Sequence, residues 1–237
     1  MKRDLSGFVV FPGAGSPVSL KTWFFDVASA AGATLKPEPY PQGAARGTGQ
    51  TVIVLPGFGA HDVTTARLRG FLRRQGFDAR PWGCGVNLGP VPGLLARLEA
   101  RVRDAAKDGP VALVGVSLGG SFAREIARRA PDCISQVITL GTPVRLPVIS
   151  ALAPVARAAA RLWDEDGHAS LARMRDPIPV PLTAIVSPVD GVVDWRGTIP
   201  DAGPGVEVVE IRGAHSAMGS NPHVQRIVAD RLARSGG

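Results

Sequence analysis

Between Val111 and Arg129 the chain passes from an apolar run, Val111-Ala112-Leu113-Val114, through Gly115-Val116-Ser117-Leu118-Gly119-Gly120. It then enters a stretch with Phe122, Ile126 and Ala127 at helical spacing. No other feature restricts the fold as tightly. A serine held between a buried strand and a helix sits on a tight, strained turn, and the residues two positions to either side must be very small. Gly115 and Gly119 meet that condition. Such a turn lifts the Ser117 hydroxyl above the end of a sheet and aims the positive end of the following helix at it. The plainer alternative, glycines that only allow close packing and a serine that only caps a helix, leaves the preceding strand run without a purpose.

The same alternation recurs along the chain. Thr51-Val52-Ile53-Val54-Leu55 has the character of a buried parallel strand and ends in Pro56-Gly57-Phe58-Gly59-Ala60. A helix is predicted from about Thr64 to Gln75, with Leu68, Phe71 and Leu72 on one side and Gly76 as its C-cap. Phe77 to Pro81 leads through a strand into a glycine-rich loop, and Leu94 to Ala106 is again helical. Further strands are predicted at Val137–Leu140, Leu182–Val186 and Val206–Ile211, the last alternating enough to lie near an edge. The final helix has Asn221 as cap, Pro222 in its first turn, and Val224, Ile227, Val228 and Leu232 as its apolar stripe. Strand and helix alternating with short turns predict a mostly parallel sheet covered on both faces, with ligands bound outside the carboxyl ends of its strands.

At 237 residues the chain fits one large domain, 1–237. Residues 145–179 break the alternation and are too many for a bare loop. They predict one or two short helices forming a lid, the other reading being a long crossover helix with a surface loop. The first 50 residues are the least legible; Trp23 to Ala28 opens a short helix, and Pro37 to Gly49 is turn-rich.

Apolar and charged fractions of 45% and 20% fit a globular chain. The net charge of +7 comes mostly from arginines on the polar sides of the predicted helices, as in Leu68-Arg69-Gly70-Phe71-Leu72-Arg73-Arg74, and reads as a solvated basic face. No zinc finger, RNA-binding signature or basic zipper accompanies it, so nucleic acid is not expected as a partner. Cys84 and Cys133, the two cysteines, form neither a disulfide framework nor a C-x-x-C pair. Met1-Lys2-Arg3 and Phe8-Val9-Val10-Phe11 stop at Pro12-Gly13, short of a signal sequence, and no segment reaches the length of a membrane span. The expectation is a soluble cytoplasmic protein.

A serine hydroxyl needs a base to become a nucleophile. Among the four histidines, His215 directly follows the last strand, within a run of small residues, Gly213 to Ser220. His61 is the rival, read as helix entry or pocket lining; His168 and His223 fit surface or capping positions. The imidazole in turn needs an orienting acid. Asp190 closely follows the strand Leu182–Val186 and precedes Gly191, with Asp194 and Asp201 as competitors. Donors to a developing oxyanion are expected from the backbone of Leu118 and, in the turn after Leu55, of Phe58. Apolar residues near these positions, Phe58, Leu118, Val144, Leu146, Leu152, Val189 and Val192, predict a pocket for an apolar acyl group, with His61 at its margin.

With these residues in place, the chain from roughly Thr51 to Leu232 resembles the α/β-hydrolase superfamily, and within it small bacterial lipases and esterases. The resemblance rests on Leu55-Pro56-Gly57-Phe58-Gly59, the Gly115 to Gly119 elbow, Leu140-Gly141-Thr142-Pro143, Asp190-Gly191-Val192-Val193 and Gly213-Ala214-His215. It implies the α/β-hydrolase fold, with oxyanion loop, nucleophile elbow, pocket edge, acid and base in that order. The single glycine before Phe58 points toward the lipase-like branch. The activity implied is cofactor-free and metal-free hydrolysis of a small-molecule or lipid ester through an acyl-enzyme, compatible with transient contact with a lipid surface. A thioesterase, amidase or acyltransferase would use the same residues, and a non-catalytic binding module would keep the same fold. Glycine-rich turns without a P-loop lysine give no support to phosphate chemistry.

Overall fold

Five-residue runs such as Thr51–Leu55 become strands because they are rich in β-branched side chains and are buried on both faces. The computed structural model describes residues 9–13, 16, 18–35 and 38–234. Met1-Lys2-Arg3, Phe8 and Pro37, on which parts of the sequence reading fell, lie outside the described residues. In chain order the elements are β1 (Val9–Val10), α1 (Leu20–Leu35), β2 (Thr51–Leu55), α2 (Ala66–Arg74), β3 (Asp78–Pro81), α3 (Leu94–Ala105), β4 (Val111–Val116) and α4 (Leu118–Arg129). Then follow β5 (Ile134–Leu140), β6 (Val148–Ile149), α5 (Ala153–Ala159), α6 (Glu165–Ala172), β7 (Leu182–Val186), β8 (Val206–Glu210) and α7 (Pro222–Arg234).

Six strands form one sheet in the order β3-β2-β4-β5-β7-β8, and every neighbouring pair is parallel. The chain leaves β2 toward β3 on one side and leaves β4 toward β5 on the other. The strand order therefore reverses between β2 and β4, where a crevice opens at the carboxyl ends. Leu55 pairs with Gly115 and Val116 with Leu140, so the turns after β2, β4 and β5 emerge together at this rim.

The pleat divides the core in two. Val52 and Val54 pack with Leu68, Phe71, Leu72, Val224 and Val228 from α2 and α7. Ile53 and Leu55 face the other way, onto Leu95, Leu98, Phe122 and Ile126 from α3 and α4. Each fully buried leucine or phenylalanine contributes about 1.5–3 kcal/mol, so the two layers hold the rim rigidly.

Three elements differ from expectation. Strand β5 starts at Ile134 rather than Val137, because Pro131 to Cys133 forms a tight turn that delivers the chain early to the sheet. Helix α1 runs 16 residues from Leu20, longer than the short helix expected from Trp23. Its start is fixed by a reciprocal cap, in which Ser19 N–H donates to Thr22 Oγ1 and Thr22 N–H donates to Ser19 Oγ. Residues 145–179 hold α5, α6 and the two-residue strand β6, which pairs in parallel with β1 in a separate small sheet. Strand β8 occupies the edge, as its alternation suggested. Cys84 and Cys133 are free thiols, and among the described residues no helix is long and apolar enough to cross a membrane.

Candidate active site

Ser117 is the only non-glycine residue among those described with a positive φ, at 50° with ψ −124°. Such backbone strain amounts to about 1–3 kcal/mol and persists only where surroundings enforce it. Here they do. A Cβ on Gly119 would lie 2.5 Å from the Leu55 carbonyl oxygen, and one on Gly115 would lie 2.3 Å from Gly120 Cα. The helix can cross the strand ends this closely only because both side chains are absent. Ser117 N–H donates to the Leu140 carbonyl at 2.8 Å, and Thr142 Oγ1 donates to the Ser117 carbonyl at 2.8 Å.

Asp190 and His215 meet at the same rim. His215 Nδ1 and Asp190 Oδ2 are 2.5 Å apart, while Asp190 Oδ1 accepts from Val192 N–H at 2.9 Å and Val193 N–H at 2.8 Å. Both side chains are nearly inaccessible, with Asp190 4% and His215 6% exposed. Gly141, one residue beyond the carbonyl that binds Ser117, packs against this pair: a Cβ there would come within 3.0 Å of His215 Nδ1. The turns carrying Ser117 and His215 thus share the end of β5. No hydrogen bond joins the Ser117 hydroxyl to the imidazole in this arrangement of the described residues, and Nδ1 is already engaged with Asp190, leaving Nε2 as the free ring nitrogen.

Burial acts most strongly on His215 and pulls its pKa down, but the Asp190 charge, its hydrogen bond and the Asp26 charge outweigh that pull. The net direction is upward from the ordinary histidine value. The competing acids are occupied elsewhere. Asp194 caps a short turn by accepting from Arg196 N–H, and Asp201 pairs with Arg145 and Arg175.

Phe58 and Leu118 flank Ser117 at the cavity floor. Neither backbone N–H donates to an acceptor among the described residues. Leu118 opens α4, whose first amides have no intrahelical partner. The turn bearing Phe58 is held by Asn87, which is completely buried. Asn87 Nδ2 donates to the Pro56 carbonyl at 2.8 Å, its carbonyl accepts from Gly59 N–H at 2.7 Å, and its N–H donates to the Ala60 carbonyl at 2.9 Å. The sequence reading did not single out Asn87; an amide side chain within the glycine-rich loop was its only signal.

The cavity above Ser117 has a volume of about 70 Å³. Its walls are almost entirely apolar and come largely from residues 145–179, including Leu146, Leu152, Trp163, Leu171 and Met174, with Val192 from the acid turn. Of the expected pocket residues, Phe58, Leu118, Leu146, Leu152 and Val192 line it, whereas His61, Val144 and Val189 do not. His61 is exposed and caps the turn beginning at Asp62 by accepting from Val63 N–H, so its polarity serves the backbone. Val144 is buried beneath the rim, its N–H donating to the Gly197 carbonyl, and Val189 points to solvent. His168 lies beside Trp163 and His223 is exposed at the start of α7.

A second carboxylate went unrecognised in the sequence. Asp26 of α1, 4% exposed, accepts from the N–H groups of His215, Ser216 and Gly191. Its signal was an acid in the middle of an otherwise uncharged helical run, Thr22 to Leu35. Among the described residues no cluster of three or more His, Cys, Asp or Glu is arranged to hold a metal ion.

A parallel sheet with its order reversed at a strained serine turn defines the α/β-hydrolase class. The profile of the α/β hydrolase fold family matches residues 50–175, more than half of the chain, and the chain belongs to that family. No curated protein sequence matches it. Among solved structures it is similar to a metagenomic carboxyl esterase, with TM-score 0.61, 16% identity, and 84% of this chain and 81% of that one covered. It is also similar to a monoacylglycerol lipase from Paleococcus ferrophilus, with TM-score 0.58, 16% identity and coverage of 80% and 97%. A carboxylesterase from Bacillus subtilis gives TM-score 0.54, 13% identity and coverage of 92% and 100%. At these identities the likeness is one of fold.

Proposed function

We propose that the protein is a serine hydrolase that cleaves carboxylic esters through an acyl-enzyme. The observation that carries this reading is the buried Asp190–His215 pair, 2.5 Å apart, at the rim where the strained Ser117 turn emerges. His215, in the tautomer that Asp190 fixes, takes the Ser117 proton through Nε2 as Ser117 Oγ attacks the ester carbonyl. The unpaired N–H groups of Leu118 and Phe58 receive the oxyanion. The imidazolium then protonates the leaving alcohol, and water, deprotonated by the same nitrogen, releases the acid and regenerates Ser117. The Ser117–His215 hydrogen bond forms on substrate binding, as catalytic hydrogen bonds that are long in free enzymes commonly do.

The cavity argues for the acyl side of the substrate. It is less than half the size of the ~150 Å³ apolar cavity that holds a benzene ring, which favours a short acyl group. Residues 145–179 act as a lid whose displacement admits longer chains.

Replacing Ser117 with Ala tests the reading. Turnover of a short p-nitrophenyl ester should fall by at least about 10³-fold with the thermal transition unchanged, and labelling of the wild type by a fluorophosphonate should disappear in the variant. Unchanged turnover removes Ser117 from the mechanism. A wild type that neither labels nor turns over esters, thioesters or amides is a binding module instead.

A further inference from the structure

Asp26 is a buried carboxylate with no cation beside it among the described residues. All its described hydrogen bonds come from backbone amides: Oδ2 accepts from His215 N–H at 2.6 Å and Gly191 N–H at 3.2 Å, and Oδ1 accepts from Ser216 N–H at 2.8 Å. These amides belong to two different turns. Gly191 follows the acid Asp190, and His215 is the base itself. A single carboxylate on α1 therefore joins the backbones of both loops that must meet for the imidazole to be oriented.

The packing is as close as the bonding. A Cβ on Gly191 would lie 2.5 Å from the Thr22 carbonyl oxygen and 2.9 Å from Asp26 Cβ, so the acid turn rests directly on α1. A second tie, from inside the sheet, runs between the same loops: Ser187 Oγ donates to the Gly213 carbonyl at 2.7 Å. Ser187 fixes the stems of the two loops, and Asp26 fixes their tips. A buried carboxylate bound only by amides is expensive to desolvate unless each of those bonds is kept. That requirement makes the clamp stiff.

We infer that Asp26 is a positioning residue for the hydrolytic reaction, holding the backbones of Asp190 and His215 in register from a helix outside the sheet. The inference rests on the ester-hydrolase reading above. It gives α1 a task beyond covering apolar surface, because the helix supplies the third point of a frame whose other two points are strand ends.

The test compares Asp26→Asn, Asp190→Asn and the double variant. Asn keeps the shape of Asp26, but whichever way its amide turns an –NH₂ faces at least one of the three backbone donors, so the clamp loses a bond and its charge. With circular dichroism unchanged, Asp26→Asn should lower kcat on the order of 10- to 100-fold while KM stays within about twofold. The charged groups bearing on His215 are Asp190 from the β7 turn and Asp26 from α1. Removing the second should move the acidic limb of kcat/KM to lower pH, a readout that a merely structural role leaves in place. The double variant should lose little more than Asp190→Asn alone, because both act through the same imidazole. An unchanged kcat and acidic limb, or losses that simply add, overturns the inference.

If Asp26→Asn does not fold, Gly191→Ala separates the acid turn from α1 while leaving the carboxylate, and the same kcat loss is expected; a normal kcat there overturns the inference as well. A wild type with no fluorophosphonate labelling and no turnover sinks the hydrolase reading and this one with it. A wild type that labels, beside an Asp26→Asn variant that acylates at the same rate, sinks only the role of Asp26.

Discussion

Burial and charge act on His215 in opposite senses, and the outcome has two consequences of opposite sign. Burial favours the neutral ring; the Asp190 charge, its hydrogen bond and the Asp26 charge together favour the imidazolium and win. A histidine whose folded pKa is raised adds stability that is fully present below its unfolded value of about 6.5 and is lost as pH rises through the folded value. In the proposed mechanism catalysis runs the other way, since only the neutral ring can accept the Ser117 proton. The acidic limb of kcat/KM is therefore expected at a pH above that of an ordinary histidine, and a pH–rate profile of the free enzyme on a short ester measures it. Asp190→Asn should shift that limb downward and reduce kcat on the order of 10⁴-fold, because the tautomer is no longer fixed. A limb at or below the ordinary histidine value would remove Asp190 as the dominant partner.

The turns, rather than the strands, decide whether these side chains are productive, and Asn87 is the residue on which one of them depends. It bonds to Pro56, Gly59 and Ala60, and so brackets Phe58 on both sides. Its Oδ1 also accepts from Gly89 N–H at 3.1 Å. Asn87→Ala leaves the Pro56 carbonyl and the Gly89 amide unpaired in a buried place, costing about 1–3 kcal/mol. The Phe58 N–H then loses its fixed aim, and kcat should fall about tenfold, with KM little changed. Raised KM at constant kcat would mean that the turn binds substrate and does not stabilise the transition state. How much of this was legible follows from what each element displays in its side chains. Strands such as Leu182–Val186 were readable because burial on both faces forces continuous apolar runs. The Ser117 turn was readable because its steric demand selects glycine on both sides. Asp190 was separated from Asp194 only by position along the turn, and it is the fold that hands Asp194 to a cap. Asp26 and Asn87 were not readable, since their partners are backbone groups, and a backbone group leaves no trace in residue type. The pocket wall was partly readable: Leu146, Leu152 and Val192 were found, but Trp163, Leu171 and Met174 come from a segment with no regular period to align them.

At the scale of the whole molecule, several of the arginines, read in the sequence as a solvated face, turn out to tie residues 145–179 to the rest of the molecule. Glu125 of α4, almost fully buried, pairs with Arg128 and Arg129 of the same helix and with Arg173 just beyond α6. Arg128 and Arg124 donate to the carbonyls of Arg173 and Asp176. The C-terminal end of residues 145–179 is thereby anchored by charge-assisted bonds, which are the strong ones. The start of the segment is held by the Arg145–Asp201 pair, and its middle by Trp163 Nε1–H donating to the Leu88 carbonyl at 2.9 Å, with the indole against Gly89. In the proposed lid motion, the Trp163–Leu88 latch is a contact that must break for the cavity to open. The latch also adjoins the turn carrying Phe58, because Leu88 and Gly89 follow Asn87 directly. Trp163→Phe keeps most of the ring in the cavity wall but deletes the donor, at a stability cost of about 0.5–1.5 kcal/mol. A series of p-nitrophenyl esters should then show the chain-length optimum moving toward longer chains, with activity on the shortest esters retained. Trp163→Ala both empties the wall and opens the latch, so it should accept long chains and lose affinity for short ones. If Trp163→Phe leaves the chain-length profile where it was, the segment is a fixed wall, and the size of the acyl group is set by the cavity alone.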